Sequence, residues 1–286
     1  MKGNATLIIQ EALKEDIIDF NGEILPGDHT ALACIPNHQE GKAKLICKAE
    51  GILAGVELAE EICRQVDDTL RLEIFLKDGA KIKHGDIAFH LFGEVKSILR
   101  AERVILNFMQ RMSGIATNTA RYVNLVQGTK AKILDTRKTT PALRYFEKWA
   151  VAIGGGHNHR FGLYDRIMMK DNHVDFCGGI AQAIEAVRQY QLANNLQLPV
   201  EIETRNLAEI EQVLAIGNLD RIMFDNFSVE TMKEAVKRVN GRFETEASGG
   251  ITLETVRDYA ETGVDFISVG ALTHSSGSLD LSLKAF

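Results

Sequence analysis

The 286-residue sequence predicts an α/β protein in two parts: an α+β region, then six strand–helix units on a parallel sheet. Three observations carry that reading. Apolar segments ending at Leu134, Met169, Ile202, Phe224, Ala247 and Val269 alternate with helical segments beginning near Pro141, Gly179, Leu207, Val229, Leu253 and, more weakly, Leu279. Upstream of these, strand patterns follow one another locally, without a helix between each pair. Between the two regions runs the longest helical stretch, Leu99 to Gln127, with Gly114 inside it and Gly128 ending it. Short strand–helix connections mean parallel strands, closed as a barrel or spread as a doubly wound sheet.

The elements follow in order. Leu7, Ile8, Ala12, Leu13 and Ile17 recur at helical spacing behind Asn4, a residue suited to capping. Pro26 to Thr30 reads as loop, and ALACIP and KAKLICKAEG read as short strands. VELAEEICRQV is helical, LRLEIFL is a strand, and AFHLFGEV closes the set after the glycine turns at Gly79 and Gly85. On the long helix Arg103, Asn107 and Arg111 share one face, the usual mark of a solvent side.

Composition narrows the class. A hydrophobic content of 45% supports a sizeable core, and a net charge of −6 argues against a general nucleic-acid binder, which needs a basic face. Cys34, Cys47, Cys63 and Cys177 lack CxxC spacing and read as reduced core thiols. Charges interrupt the first twenty residues, unlike a signal peptide, and no apolar run is long enough to span a membrane, so the expected location is cytoplasmic.

Function concentrates between Asp135 and His173, where seven Lys or Arg face four acids, so that this stretch is +3 within an acidic chain. Such a basic island, threaded by Gly154, Gly155 and Gly156, points to a small, multiply anionic ligand. The residues after each strand reinforce this. In order they are Asp135-Thr136-Arg137-Lys138, Lys170-Asp171, Glu203, Asp225-Asn226, Ser248-Gly249-Gly250, and Gly270-Ala271 after Val269. Polar groups and glycines thus gather at one end of successive strands, the mouth at which barrels carry their chemistry. The glycines let backbone N–H groups approach a phosphate. Arg137, His159, Arg160 and Lys170 suit carboxylates, and this many cations suit two of them. Glu203 and Asp225, among those cations, are expected to stay ionised and to meet sugar hydroxyls or magnesium. A different chemistry, a Schiff base on Lys170, is also open to a lysine at a barrel strand end.

Eight blocks carry a resemblance: ERVILNFMQRMSGIAT, DTRKTTPALR, GGGHNHRFGLYD, MKDNH, VEIE, DNF, EASGGI and SVGALTHS. Together they resemble the quinolinate phosphoribosyltransferase family over nearly the whole chain. Ala142 departs from it, standing where the family often has glycine, and Trp149 stands where it often has tyrosine. The resemblance implies a type II phosphoribosyltransferase-like fold: an N-terminal α/β sandwich domain of residues 1–115 with the tail 276–286, and an open α/β barrel of 116–275. It implies transfer of phosphoribose from phosphoribosyl pyrophosphate to quinolinate with decarboxylation, in NAD biosynthesis, with Mg2+. It further implies a homodimer with shared active sites, possible assembly to a hexamer, and no nucleic-acid or membrane partner. By position, Arg137, His159, Arg160 and Lys170 line the dicarboxylate site with Arg103 from the partner. Lys138, Glu203 and Asp225 surround the ribosyl pyrophosphate and its metal, held by Glu203 and Asp225, with these three as catalytic groups; Thr136 is a further substrate-binding residue. Ser248, Gly249, Gly250, Val269, Gly270 and Ala271 form the 5′-phosphate cradle.

Overall fold

The computed structural model describes residues 3–286 and divides into two compact units. The first takes the chain up to Ala120, Thr139–Gly155 and Ser275–Phe286; the second takes Arg121–Lys138 and Gly156–His274. The Asn4 side chain, expected to cap the first helix, lies outside the described residues.

The first unit is built on a four-stranded antiparallel sheet in the spatial order Leu281–Ala285, Glu40–Cys47, Ile87–Glu94, Arg71–Ile74. Ala43, Leu45 and Cys47 are buried while Lys44 and Ile46 between them are not, the alternation of a sheet with one face on a core. Two sequence expectations fail in this unit. ALACIP lies largely in a helix, His29–Cys34, because the Asp28 side chain accepts the Ala31 N–H at 3.0 Å and caps it. The weak helix expected from Leu279 is the strand Leu281–Ala285, where Leu281 and Leu283 alternate into the core and pair with Cys47 and Leu45. Of the four cysteines, all free, only Cys47 and Cys63 are buried; Cys34 and Cys177 are exposed. Burial pushes the Cys47 thiol up to about 11 and the Cys63 thiol up to about 12, which leaves both unreactive.

The long helix is Val95–Leu125. Gly114 is required there because the Gly277 carbonyl passes where a side chain would stand. The expected polar stripe splits: Arg103 and Asn107 are exposed, whereas Arg111 binds Glu147 at 2.8 Å and the Ser276 carbonyl at 2.6 Å. Glu147, fully buried, also accepts from the Thr140 hydroxyl at 2.7 Å and the Thr140 N–H at 3.0 Å. Phe146 packs on Phe108 with ring centroids 4.7 Å apart. These contacts explain why residues 139–155, with the helix Arg144–Ile153, group with the first unit and not with the barrel region to which the sequence assigns them.

The second unit carries a six-stranded, all-parallel sheet in the order Lys132–Leu134, Phe266–Ser268, Glu244–Ser248, Arg221–Asp225, Val200–Thr204, Ile167–Met169. This is an α/β barrel left open between Lys132–Leu134 and Ile167–Met169, the two edge strands. Ile133, Ile202, Ile222, Phe224, Ala247 and Ile267 are fully or almost fully buried on the outward face, against helices such as Leu207–Ile216 and Val229–Val239. The alternate positions of the same strands point inward and carry the polar groups Glu201, Glu203, Arg221, Asp225, Glu246 and Ser248.

Ala142 sits at φ 65°, in the left-handed region that a side chain disfavours, close before the helix Arg144–Ile153. Ala142→Gly should therefore raise stability by about 1 kcal/mol, read as a higher urea midpoint at unchanged m-value.

Candidate active site

The parallel register brings one end of every barrel strand to a common rim. Lys170 follows Ile167–Met169, Glu203 lies near the end of Val200–Thr204, Asp225 and Ser248 end their strands, and Gly270 follows Phe266–Ser268. These residues line a single cavity of about 780 Å³, together with Thr136, Arg137, Lys138, His159, Arg160, Gly249, Gly250, Val269 and Ala271. Every sequence-assigned residue of the second unit is thus gathered in one place. Arg103 belongs to the first unit, where it is exposed.

Local structure aims the cations. The Lys138 N–H donates to the Thr136 hydroxyl at 3.0 Å, and the Lys138 carbonyl accepts from the Thr273 hydroxyl at 2.8 Å, so the peptide bearing Lys138 is held on both sides. Gly270 leaves room there: a Cβ on it would come within 3.2 Å of the Lys138 side chain and 3.0 Å of His274. Arg160 donates to the Arg166 carbonyl at 3.4 Å. Burial, and then the neighbouring Arg137 guanidinium, pull Arg160 below its ordinary value, the mark of like charges held close. A bound carboxylate relieves that repulsion. Lys170 Nζ stands 3.5 Å from Glu203 Oε2, an ion pair rather than the desolvated amine a Schiff-base nucleophile requires.

Glu203 departs from expectation. Burial raises its carboxyl, Lys170 offsets part of the rise, and the nearby Asp225 adds to it, with the net direction upward. Asp225 accepts from the Asn226 amide at 2.7 Å. Two carboxylates that repel across the rim are suitable oxygen donors for a hard divalent cation, whose charge would remove the penalty. Magnesium therefore fits the residues present.

Gly249 (φ 100°) and Gly250 (φ 61°) occupy the left-handed region. A Cβ at Gly249 would collide with the Asn226 side chain and lie 2.9 Å from the Asn226 nitrogen; one at Gly250 would meet nothing within 4 Å. The first glycine is thus needed for packing and the second leaves its backbone open to the cavity.

His159 also differs from the sequence reading, which gives it a direct grip on a carboxylate. Its Nε2 is 3.2 Å from Glu201 and 3.4 Å from Glu246, and its Nδ1 accepts the Arg160 N–H at 2.7 Å. Burial alone would depress the imidazole; the bonds to the two glutamates outweigh it and push the group up to about 9. Charging the ring means protonating Nδ1, the nitrogen that accepts from Arg160. The short contact holds the ring as the Nε2–H tautomer, and uptake of a second proton requires the Arg160 amide to turn away.

At the floor of the cavity lies a charged layer that sequence reasoning misses. Glu201 and Glu246 are fully buried. Arg221 donates to Glu246 at 2.8 Å and to Glu244 at 2.8 Å, while Arg166 approaches Glu201 at 3.5 Å. Burial and Glu246 raise the Glu201 carboxyl; burial also opposes ionisation of Glu246, but His159 and Arg221 outweigh it and lower that group. The ligand atoms of His159, Glu201 and Glu246 lie within 4.8 Å of one another, near enough for a metal, yet Arg221 and Arg166 already supply the cations. The signal is in the strands: Glu201 is two residues before Glu203, Arg221 four before Asp225, and Glu246 two before Ser248, all on the inward face by the period of a strand. Met168, Met223, Asn226, Glu246, Ile251, Thr252, Ser268 and His274 complete the cavity wall.

Another depression, of about 760 Å³ in the first unit, is walled by Glu57, Glu60, Glu61 and Asp68, with Arg64 and Arg71 as its basic residues. Its acidic wall is the wrong sign for an anionic ligand, and no glycine loop borders it.

Two family models match the chain: "Quinolinate phosphoribosyl transferase, N-terminal domain" over residues 28–113 and "Quinolinate phosphoribosyl transferase, C-terminal domain" over 115–284. Among curated proteins, "Quinolinate phosphoribosyltransferase [decarboxylating] 1b" of Nicotiana tabacum is 48% identical over 97% of this chain and 81% of its own length. "Probable nicotinate-nucleotide pyrophosphorylase [carboxylating]" of Bacillus subtilis is 43% identical over 92% of this chain and 90% of its own. Among solved structures, the nicotinate-nucleotide pyrophosphorylase of Francisella tularensis superposes with a TM-score of 0.90 at 40% identity, covering 99% of this chain and 96% of that one.

Removing one partner of a buried ion network leaves an uncompensated charge. Arg221→Ala should lower stability by about 3 to 5 kcal/mol, measured by urea denaturation at pH 7. A loss under about 1 kcal/mol would mean that Glu246 needs no such partner.

Proposed function

The chain belongs to the quinolinate phosphoribosyltransferase family, and from that premise we propose how its barrel cavity carries the reaction. The enzyme transfers the phosphoribosyl group of phosphoribosyl pyrophosphate to quinolinate and releases carbon dioxide, giving nicotinate mononucleotide and pyrophosphate for NAD biosynthesis. The observation that carries the site reading is the convergence of Arg137, Arg160, Lys138 and Lys170 with Gly249-Gly250 and Gly270-Ala271 on one cavity.

Arg137, Arg160 and Lys170 grip the two quinolinate carboxylates, Arg137 and Arg160 shedding their mutual repulsion as they do so. His159 orients Arg160 through its ring nitrogen more than it binds substrate. Backbone N–H groups of Ser248 to Gly250 and of Val269 to Ala271 cradle the 5′-phosphate, which fixes the ribose across the rim. Glu203 and Asp225 face the ribose hydroxyls and are the groups suited to hold Mg2+. That ion, when bound, supplies positive charge for the departing pyrophosphate.

No protein nucleophile is needed. The pyridine nitrogen attacks C1 of the ribose as pyrophosphate leaves, and Lys138 stabilises the charge that develops on the leaving group. The quaternised ring then accepts the electron pair released when the 2-carboxylate departs as carbon dioxide, and a proton replaces it at that carbon. The protein contributes alignment and electrostatics.

Two parts of the reading go further. We place the enzyme in the cytoplasm, on the strength of four free cysteines, although some plant relatives carry mitochondrial or chloroplastic in their names. Among the described residues no helix is long and apolar enough to cross a membrane. We also assign Arg103 to a second copy's dicarboxylate site in a homodimer, supported by its exposure on the long helix.

Incubation with quinolinate, phosphoribosyl pyrophosphate and magnesium should release mononucleotide and carbon dioxide, with nicotinate a poor substitute because it lacks one carboxylate. In that assay Lys138→Ala should lower kcat by about 10²-fold or more while quinolinate affinity changes little; unchanged turnover would remove Lys138 from the chemistry. For the shared site, mixing Arg103→Ala with Lys170→Ala protein should regain activity through hybrid dimers. Subunits shown to exchange yet yielding no activity would place the whole site within one chain.

A further inference from the structure

Asp135 directly follows the first barrel strand, is fully buried, and has no part in the chemistry described so far. Its position is unusual in linking two ligand-bearing segments. Downstream of it come Thr136, Arg137 and Lys138. Opposite it runs the segment that delivers His159 and Arg160, which joins the open edge of the barrel by a single bridge: the His157 N–H donates to the Ile133 carbonyl at 2.8 Å, and the Asp135 N–H donates to the His157 carbonyl at 3.1 Å. There the backbone ladder stops. Beyond it, the Asp135 side chain continues the pairing: one oxygen accepts the His159 N–H at 2.9 Å, and the other accepts the Asn158 amide at 2.6 Å.

We propose that Asp135 is a positioning residue for the dicarboxylate site, fixing the segment that bears His159 and Arg160 against the segment that bears Arg137 and Lys138. The proposal rests on the function assigned above. Its physical ground is that three glycines, Gly154 to Gly156, precede the incoming segment and give it little stiffness, while one bridge sets only its height along the strand. Two carboxylates on adjacent ring carbons must meet Arg137 and Arg160 at a fixed spacing, and a displacement near 1 Å costs binding steeply. A side-chain clamp that takes the His159 N–H sets that spacing, because Arg160 follows in the same rigid peptide run and its N–H is itself tied to the His159 ring.

The test exchanges the two partners. Asn158→Asp sets two carboxyl groups against each other without changing shape. Adding Asp135→Asn restores a donor–acceptor pair, and the introduced amide keeps an oxygen for the His159 N–H. Quinolinate KM, phosphoribosyl pyrophosphate KM, kcat, thermal midpoint and the calorimetric affinity for benzene-1,2-dicarboxylate, an unreactive analogue, are measured for each. Asn158→Asp should weaken analogue binding and raise quinolinate KM by about tenfold or more, with phosphoribosyl pyrophosphate KM changed less than about threefold. The exchanged double variant should return to within about threefold of the parent. Asp135→Ala should resemble Asn158→Asp; if it does not fold, the isosteric pair decides. Analogue affinity unmoved by Asn158→Asp, or a double variant no better than the single, overturns the inference, as does a fall in thermal midpoint alone. Failure of the parent protein itself to bind the analogue would instead remove the dicarboxylate reading, and the inference with it.

Discussion

The parallel register of the barrel strands is the constraint on which the rest depends. Side chains alternate strictly along a strand, so once Glu203 is aligned with Met223 and Asp225 with Ser248, every inward position is assigned at once. A slip of one residue would turn Ile202, Ile222 and Phe224 into the cavity and drive Glu201, Arg221 and Asp225 into the helices. The outward apolar face forbids it, since those residues are wholly buried. Core packing on the outside thereby fixes the polar pattern on the inside.

That inside pattern is costly. Glu201, Glu246 and Arg221 forgo water in a layer that apolar side chains would fill more cheaply. Its use lies above it. A rim that gathers Arg137, Lys138, Arg160 and Lys170 accumulates positive charge before any substrate arrives, and Arg160 already feels the repulsion of Arg137. Buried carboxylates at the cavity floor offset that field. His159 joins the layers, with Nε2 toward the glutamates and Nδ1 toward the Arg160 peptide.

Much of the site is legible in the sequence because chemistry and punctuation coincide at strand ends: a strand must stop, and the residues that stop it line the cavity. Arg137, Lys170, Asp225 and the pair Gly249-Gly250 are found in this way. Glu201 and Glu246 are not, since an acid inside a short apolar run reads as an edge or an error until its strand's facing is known. The helix His29–Cys34 is hidden because a single cap at Asp28 decides between two patterns of equal quality. Residues 139–155 look from sequence like the first barrel helix, and contacts such as Glu147 on Arg111 and Phe146 on Phe108 group them elsewhere. The role proposed for Arg103 is beyond periodicity altogether, because a helix face says nothing of what stands opposite.

The same logic explains why the open edge of the barrel is where the ligand groups are densest. A closed barrel satisfies its first strand on both sides and leaves only the residues after it free to vary. Here Lys132–Leu134 pairs with Phe266–Ser268 on one side, and its other side is available to the His157 segment. A single bridge there costs the fold little order and admits a second run of cationic side chains beside the first. Two carboxylates on neighbouring ring atoms demand cations from two directions, and an edge can supply them from two chain segments where one loop would have to double back on itself.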